Sequence, residues 1–154
     1  MIYKENQQMT ALTTAIMNNK LKSVQCFLDC EKIDPNLALN FNYNNFNDNK
    51  FNNSIEKKYA FHIAIENDFT DILNLMIQRK NVDLCKKFIK KEYTRSTQNK
   101  LISESIIYFA VQRLKIESLK SLLLSPDIDI NDVSTSIDYS KKIKETRTAF
   151  QYAN

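Results

Sequence analysis

Tyr59–Ile77 reads YAFHIAIENDFTDILNLMI. Apolar side chains fall at Phe61, Ile63, Ala64 and Ile65, then at Phe69, Ile72, Leu73, Leu75, Met76 and Ile77, with Asn67-Asp68 between the two groups. Helical spacing on either side of a turn-forming pair predicts two short helices folded back on each other. The same pattern recurs upstream over Thr10–Leu28 and downstream over Ser105–Leu124. Taking Ala15, Ala64 and Ala110 as zero points, Leu21, Thr70 and Ile116 stand six residues on, and Val24, Leu73 and Leu119 nine on. Phe27-Leu28, Met76-Ile77 and Leu122-Leu123 follow at twelve and thirteen, and Ile33-Asp34, Val82-Asp83 and Ile128-Asp129 at eighteen and nineteen. A register kept through three copies predicts stacked helix pairs, a solenoid that presents a binding surface.

Each alanine is preceded by a matching start: Thr10–Ala15 (TALTTA), Tyr59–Ala64 (YAFHIA) and Ser105–Ala110 (SIIYFA), with a fourth at Thr148–Ala153 (TAFQYA). The hydroxyls of Thr10, Ser105 and Thr148 stand where a helix N-cap would satisfy orphan backbone N–H groups. These residues resemble the ankyrin repeat, with its T-P-L-H-x-A start, helix–turn–helix body and closing A-D-V-N. The closing motif is matched by Ile33-Asp34-Pro35-Asn36, Val82-Asp83 and Ile128-Asp129-Ile130-Asn131. The glycine between the helices is replaced by Asn19, Asp68 and Leu114, and no copy has the proline. The resemblance implies an all-α ankyrin-type solenoid of three helix–turn–helix repeats plus the start of a fourth, within one domain. Repeats then cover about 9–36, 59–85 and 105–131, fingers 37–58, 86–104 and 132–147, and a partial repeat 148–154.

The repeat is stretched. Ala15 and Ala64 are 49 residues apart, Ala64 and Ala110 46, and Ala110 and Ala153 43, against about 33 in an ordinary ankyrin unit. With the helical register intact, the excess lies in the connectors, which by the resemblance form hairpin fingers projecting from one side. The first alternates Leu37, Leu39, Phe41 and Tyr43 with small or polar residues and offers turn chemistry at Asn44-Asn45 and Asn47-Asp48-Asn49. It reads either as a β-hairpin or as an Asn-rich low-complexity insertion. The second shows a weaker strand pattern, and the third is expected to turn near Tyr139–Lys141. Residues 148–154 begin a copy and stop before its second helix, which leads to the expectation of a fragment, or of docking on a partner or a second copy through the uncovered end.

The 154 residues are 43% hydrophobic, with no glycine and a formal charge of +4. That length and apolar content suffice for one core. The excess charge is local: Lys86, Lys87, Lys90, Lys91, Arg95 and Lys100 face only Glu92 and Glu104 within 86–104. No apolar run reaches membrane length, and MIYKENQQMT lacks the hydrophobic region of a secretory signal. Three cysteines, an odd number without framework spacing, fit a reducing compartment, so a cytoplasmic protein is expected.

The chemistry-bearing residues are few. His62 is the only histidine, in the slot that Thr13, Tyr108 and Gln151 hold in the other copies, where it is expected to bond backbone at a helix start. Cys26 and Cys30, four apart on one helix, do not supply the tetrahedral set a zinc site wants. A glycine-free chain has no phosphate-cradling loop. No enzyme, cofactor or metal is expected. The leading expectation is a non-catalytic protein–protein interaction module. By the resemblance, its contacts come from the first-helix positions Met17, Asn18, Glu66, Asn67, Gln112 and Arg113, and from Phe41, Tyr43, Phe46, Lys90, Tyr93, Arg95 and Tyr139 in the fingers. The alternative is a binder of nucleic acid or another anionic surface through the basic finger 86–104.

Overall fold

The computed structural model describes residues 2–5, 9–45, 52–94 and 97–153. In chain order these form β1 (Ile2–Glu5), α1 (Ala11–Met17), α2 (Leu21–Leu28), β2 (Leu39–Asn45) and β3 (Asn52–Lys58). There follow α3 (Ala60–Glu66), α4 (Thr70–Ile77), β4 (Phe88–Thr94), β5 (Thr97–Glu104), α5 (Ile106–Gln112) and α6 (Ile116–Leu123). The chain closes with β6 (Ser134–Asp138), β7 (Ile143–Arg147) and α7 (Ala149–Ala153).

The expected all-α architecture is wrong. The seven strands pair antiparallel in sequence order into one sheet, β1 to β7, so the chain is a mixed α and β fold and not an all-helical ankyrin-type solenoid. Hairpins β2–β3, β4–β5 and β6–β7 do not project as separate fingers. β3 pairs with β4 and β5 with β6, which joins them edge to edge. The physical reason is a match of spacings. Helices pack about 8–10 Å apart, and two strands at about 4.8 Å each cover the same distance. One hairpin per helix pair therefore keeps the sheet in step with the helices, and each inner edge is protected by its neighbour.

The helices form two rows: α1, α3, α5 and α7 pack in succession, and α2, α4 and α6 pack behind them. Ala15, Ala64 and Ala110 are buried at equivalent points of α1, α3 and α5. Around them lie Ile16, Phe61, Ile65, Ile72, Leu73, Met76, Phe109 and Leu122, all buried. The caps follow the sequence signals. Thr13 N–H donates to Thr10 Oγ1 (3.1 Å), Tyr108 N–H to Ser105 Oγ (3.3 Å) and Gln151 N–H to Thr148 Oγ1 (3.2 Å).

Without glycine, the turns within the helix pairs place Asn19, Asp68 and Leu114 in the left-handed region, at φ 51°, 57° and 55°. Asn and Asp tolerate that conformation, whereas a Leu carries a steric cost of about 1–2 kcal/mol. The repeated aspartates turn the chain from second helix to sheet. Asp34, Asp83 and Asp129 each accept from the backbone N–H two residues on, at 2.8, 3.0 and 2.8 Å, the geometry of an Asx-turn. Neighbouring turns are tied by Asn36, whose Nδ2 donates to the Asn81 carbonyl (2.8 Å) and whose Oδ1 accepts from Asp83 N–H (2.7 Å).

Candidate functional site

The inner face of the sheet closes one side of a groove whose other side is formed by α5 and α7. Cross-strand partners share a face. Leu39, Phe41, Glu56, Lys58, Phe88, Lys90, Ile102, Glu104, Ser134, Ser136, Glu145 and Arg147 therefore look toward the helices. Near the helices these side chains are buried: Phe41, Phe88, Lys58 and Glu104 all leave water. Farther out, a groove of about 210 Å³ opens between β5, β6 and β7 and the helices α5 and α7. Lys100, Glu104, Tyr108, Glu145, Arg147 and Tyr152 line it.

A chain of charges runs along the base of the inner face. Lys58 Nζ contacts Glu66 Oε1 (2.8 Å) and Glu56 Oε2 (2.9 Å). Arg113 reaches Glu66 Oε1 at 3.7 Å and donates through Nη1 to Glu104 Oε2 at 2.8 Å. The Arg113 guanidinium lies 3.5 Å from the Phe109 ring centroid and 4.9 Å from that of Phe88, so aromatic faces replace part of its water. Burial raises the Glu104 pKa, and the Arg113 charge partly opposes it. Lys58 is held above its usual value: burial lowers it, but Glu66 and Glu56 together outweigh the burial. Such a network holds side chains of the groove wall in one arrangement.

His62 is sealed from solvent among Phe61, Phe88 and Phe109, with the Phe109 ring edge-on at 4.6 Å. Its Nδ1 accepts from Tyr59 N–H (3.1 Å). Nε2 has no hydrogen-bond partner, and the imidazole ring as a whole packs against aromatic rings. Burial, with the Arg113 and Lys58 charges, pushes its pKa well below the ordinary histidine value. It is a neutral structural side chain that caps α3. Cys26, Cys30 and Cys85 are free thiols, and no group of three or more His, Cys, Asp or Glu able to hold a metal occurs among the described residues.

The sequence-derived contact residues divide. Glu66 and Arg113 join the charge network, and Gln112 lines the groove. Met17 is exposed at the end of α1. Asn18 and Asn67 cap helix ends, donating through Nδ2 to the Thr14 and Ile63 carbonyls, each at 2.8 Å. Phe41 is a core residue, and Tyr43 is half-buried beside Glu56 and Lys58, its pKa raised chiefly by burial. Lys90 is on the inner face, paired with Glu92 at 3.0 Å. Tyr93 falls on the opposite face. Tyr139 is exposed, and its N–H donates to the Asn99 carbonyl at 2.8 Å. Phe46 and Arg95 lie outside the described residues. Sequence reasoning missed Glu104, Tyr108, Glu145, Arg147 and Tyr152. The alternation of Glu145 and Arg147 in β7 was the one signal for them, since it places both on one face.

No protein-family model, no curated protein and no solved structure matches the chain. The assignment to the ankyrin family is therefore withdrawn: the continuous sheet contradicts it, and no family match supports it. No helix among the described residues is long and apolar enough to cross a membrane.

Proposed function

We propose that the chain is a non-catalytic binding module that holds a segment of another polypeptide in the groove between the inner sheet face and helices α5 and α7. One observation carries this reading: the groove mixes both signs of charge (Lys100 and Arg147, Glu104 and Glu145) with two tyrosines whose rings lie 4.9 Å apart. Tyr and Arg are the residues enriched where proteins meet proteins. Their anchors here stand on helices and a paired sheet, so little ordering accompanies binding. The first-helix residues Glu66, Gln112 and Arg113 extend the same inner surface.

The anionic-surface alternative draws less support. Lys86, Lys87 and Lys90 each pair with an acid, at 3.5, 2.8 and 3.0 Å, and Lys91 and Lys100 lie on opposite faces of the sheet.

The test is a selection of random peptides displayed against the full chain, followed by affinity measurement on Glu145→Lys and Arg147→Glu, both at exposed positions. Peptides that bind the parent and lose about tenfold or more on either charge reversal support the groove. A selection whose binders are indifferent to both variants overturns it.

A further inference from the structure

The two faces of the sheet differ in chemistry. The inner face carries Glu56, Glu92, Glu104, Asp138 and Glu145. The outer face of β3–β7 carries Lys57, Lys91 and Lys144 and, among the described residues, no acid. Between these lysines stand Ile55, Ile89, Leu101 and Ile137, with Tyr93 beyond them. Ile55 and Lys91 are exposed, and Ile89, Leu101 and Ile137 are half-buried, whereas Phe41, Phe88 and Glu104 on the inner face are buried. The outer face is thus open, with apolar side chains set among lysines, and of one charge.

Its geometry is specific. Ile55, Lys91, Leu101, Ile137 and Lys144 are successive cross-strand partners through β3, β4, β5, β6 and β7. Four strand spacings make this row about 19 Å long, the length of about 13 residues of α-helix. Ile55 and Leu101 are two strands apart, about 10 Å, and Leu101 and Ile137 one strand apart, about 5 Å. Those separations correspond to two turns and one turn of helix.

We infer that the outer sheet face docks an amphipathic helix of a protein partner, laid across the strands along that row, with apolar side chains on Ile55, Leu101 and Ile137 and Asp or Glu side chains meeting Lys91 and Lys144 within the row and Lys57 beside it. The absence of acid on the face is the charge complement that selects an acidic partner. Single-stranded nucleic acid fits less well, because it stacks on aromatic platforms and Tyr93 is the one aromatic on this face among β3–β7. An anionic membrane fits less well too, since surface anchoring draws on about four to eight basic residues.

The probe is a fluorescein-labelled synthetic helix of about 14 residues, carrying on one face leucines matched to Ile55, Leu101 and Ile137 and glutamates matched to Lys91 and Lys144, titrated into the full chain and followed by anisotropy. The expected result is saturable binding, weakened about tenfold when the glutamates become glutamines, and weakened about tenfold by Lys91→Glu with Lys144→Glu in the chain. The charge-matched control Lys22→Glu with Lys120→Glu, on the helices, leaves affinity unchanged, and urea midpoints verify that both double variants are folded. No binding of the acidic helix at about millimolar concentration, or equal loss in the control, overturns the proposal. So does lysine-dependent binding of a single-stranded oligonucleotide or a phosphatidylserine vesicle in place of the peptide.

Discussion

Replacing Arg113 by Met tests the charge network at its most buried contact. The substitution keeps an unbranched stem against Phe109 and Phe88 and removes the guanidinium that holds Glu104 Oε2 at 2.8 Å. Glu104 is only 2% exposed, so its carboxylate loses its hydrogen-bonded counter-charge away from water, with only the more distant Lys90 charge still acting on it. Stripping one partner from a buried pair costs about 3–5 kcal/mol. The Arg113 side chain is itself 24% exposed, which places the expectation at the lower end, about 3 kcal/mol. For a chain of this size that is a fall in melting temperature of roughly 6–12 °C. Glu104→Gln with Arg113→Met removes both charges and should recover at least half of the loss. The pH dependence has a definite sign. Burial already raises the Glu104 pKa, and without Arg113 it rises further, so the single variant regains stability relative to the parent as pH falls toward the raised value and the carboxyl becomes neutral. Urea unfolding of the parent, both single variants and the double variant over a pH series reads all of this. A loss below about 1 kcal/mol, or additive losses in the double variant, would refute the reasoning.

Leu114→Gly should stabilise the chain by about 0.5–1 kcal/mol, because it relieves a left-handed leucine that is 82% exposed; thermal denaturation checks the direction, and a loss would mean that the leucine packs. His62 is held neutral, so stability should be full above the ordinary histidine pKa and fall as pH drops below about 6.5, with a slope approaching about 1.4 kcal/mol per pH unit. His62→Gln should flatten that slope between about pH 5 and 6.5 while keeping the cap, since Gln151 Oε1 already accepts from Thr148 N–H at 2.9 Å in the equivalent position. An unchanged slope would contradict it. Ile72→Ala, in the buried face of α4, should cost about 2–5 kcal/mol, whereas Leu124→Ala, exposed after α6, should fall within about 0.5 kcal/mol.

The helix pairs could be read because their signal is local. Apolar spacing, a hydroxyl cap and a turn residue all lie within about twenty positions, and Thr10, Ser105 and Thr148 cap helices as their spacing implies. The sheet could not be read in the same way. Whether Ile55 meets Lys91, or Leu101 meets Ile137, depends on elements 36 positions apart in the chain, and no periodicity within either strand carries that pairing. The candidate site shared this fate. Glu104 looked like one of two acids diluting a basic segment, and its partner Arg113 is nine positions away across a cap. Only the packing of α5 back against the end of β5 brings them together. The all-helical expectation failed for one reason: alternation in the connectors was taken to make isolated fingers, when the spacing of the helix rows brings neighbouring hairpins within pairing distance.

The most direct test of the continuous sheet is nuclear magnetic resonance across the joints between hairpins. Hα–Hα contacts between β3 and β4, at Glu56/Lys90 or Ile55/Lys91, and between β5 and β6, at Ile102/Ser136 or Leu101/Ile137, are predicted at the same strength as those inside β2–β3 and β4–β5. Contacts confined to the hairpins, with none across the two joints, would contradict it and leave the inner groove and the outer face without a common sheet.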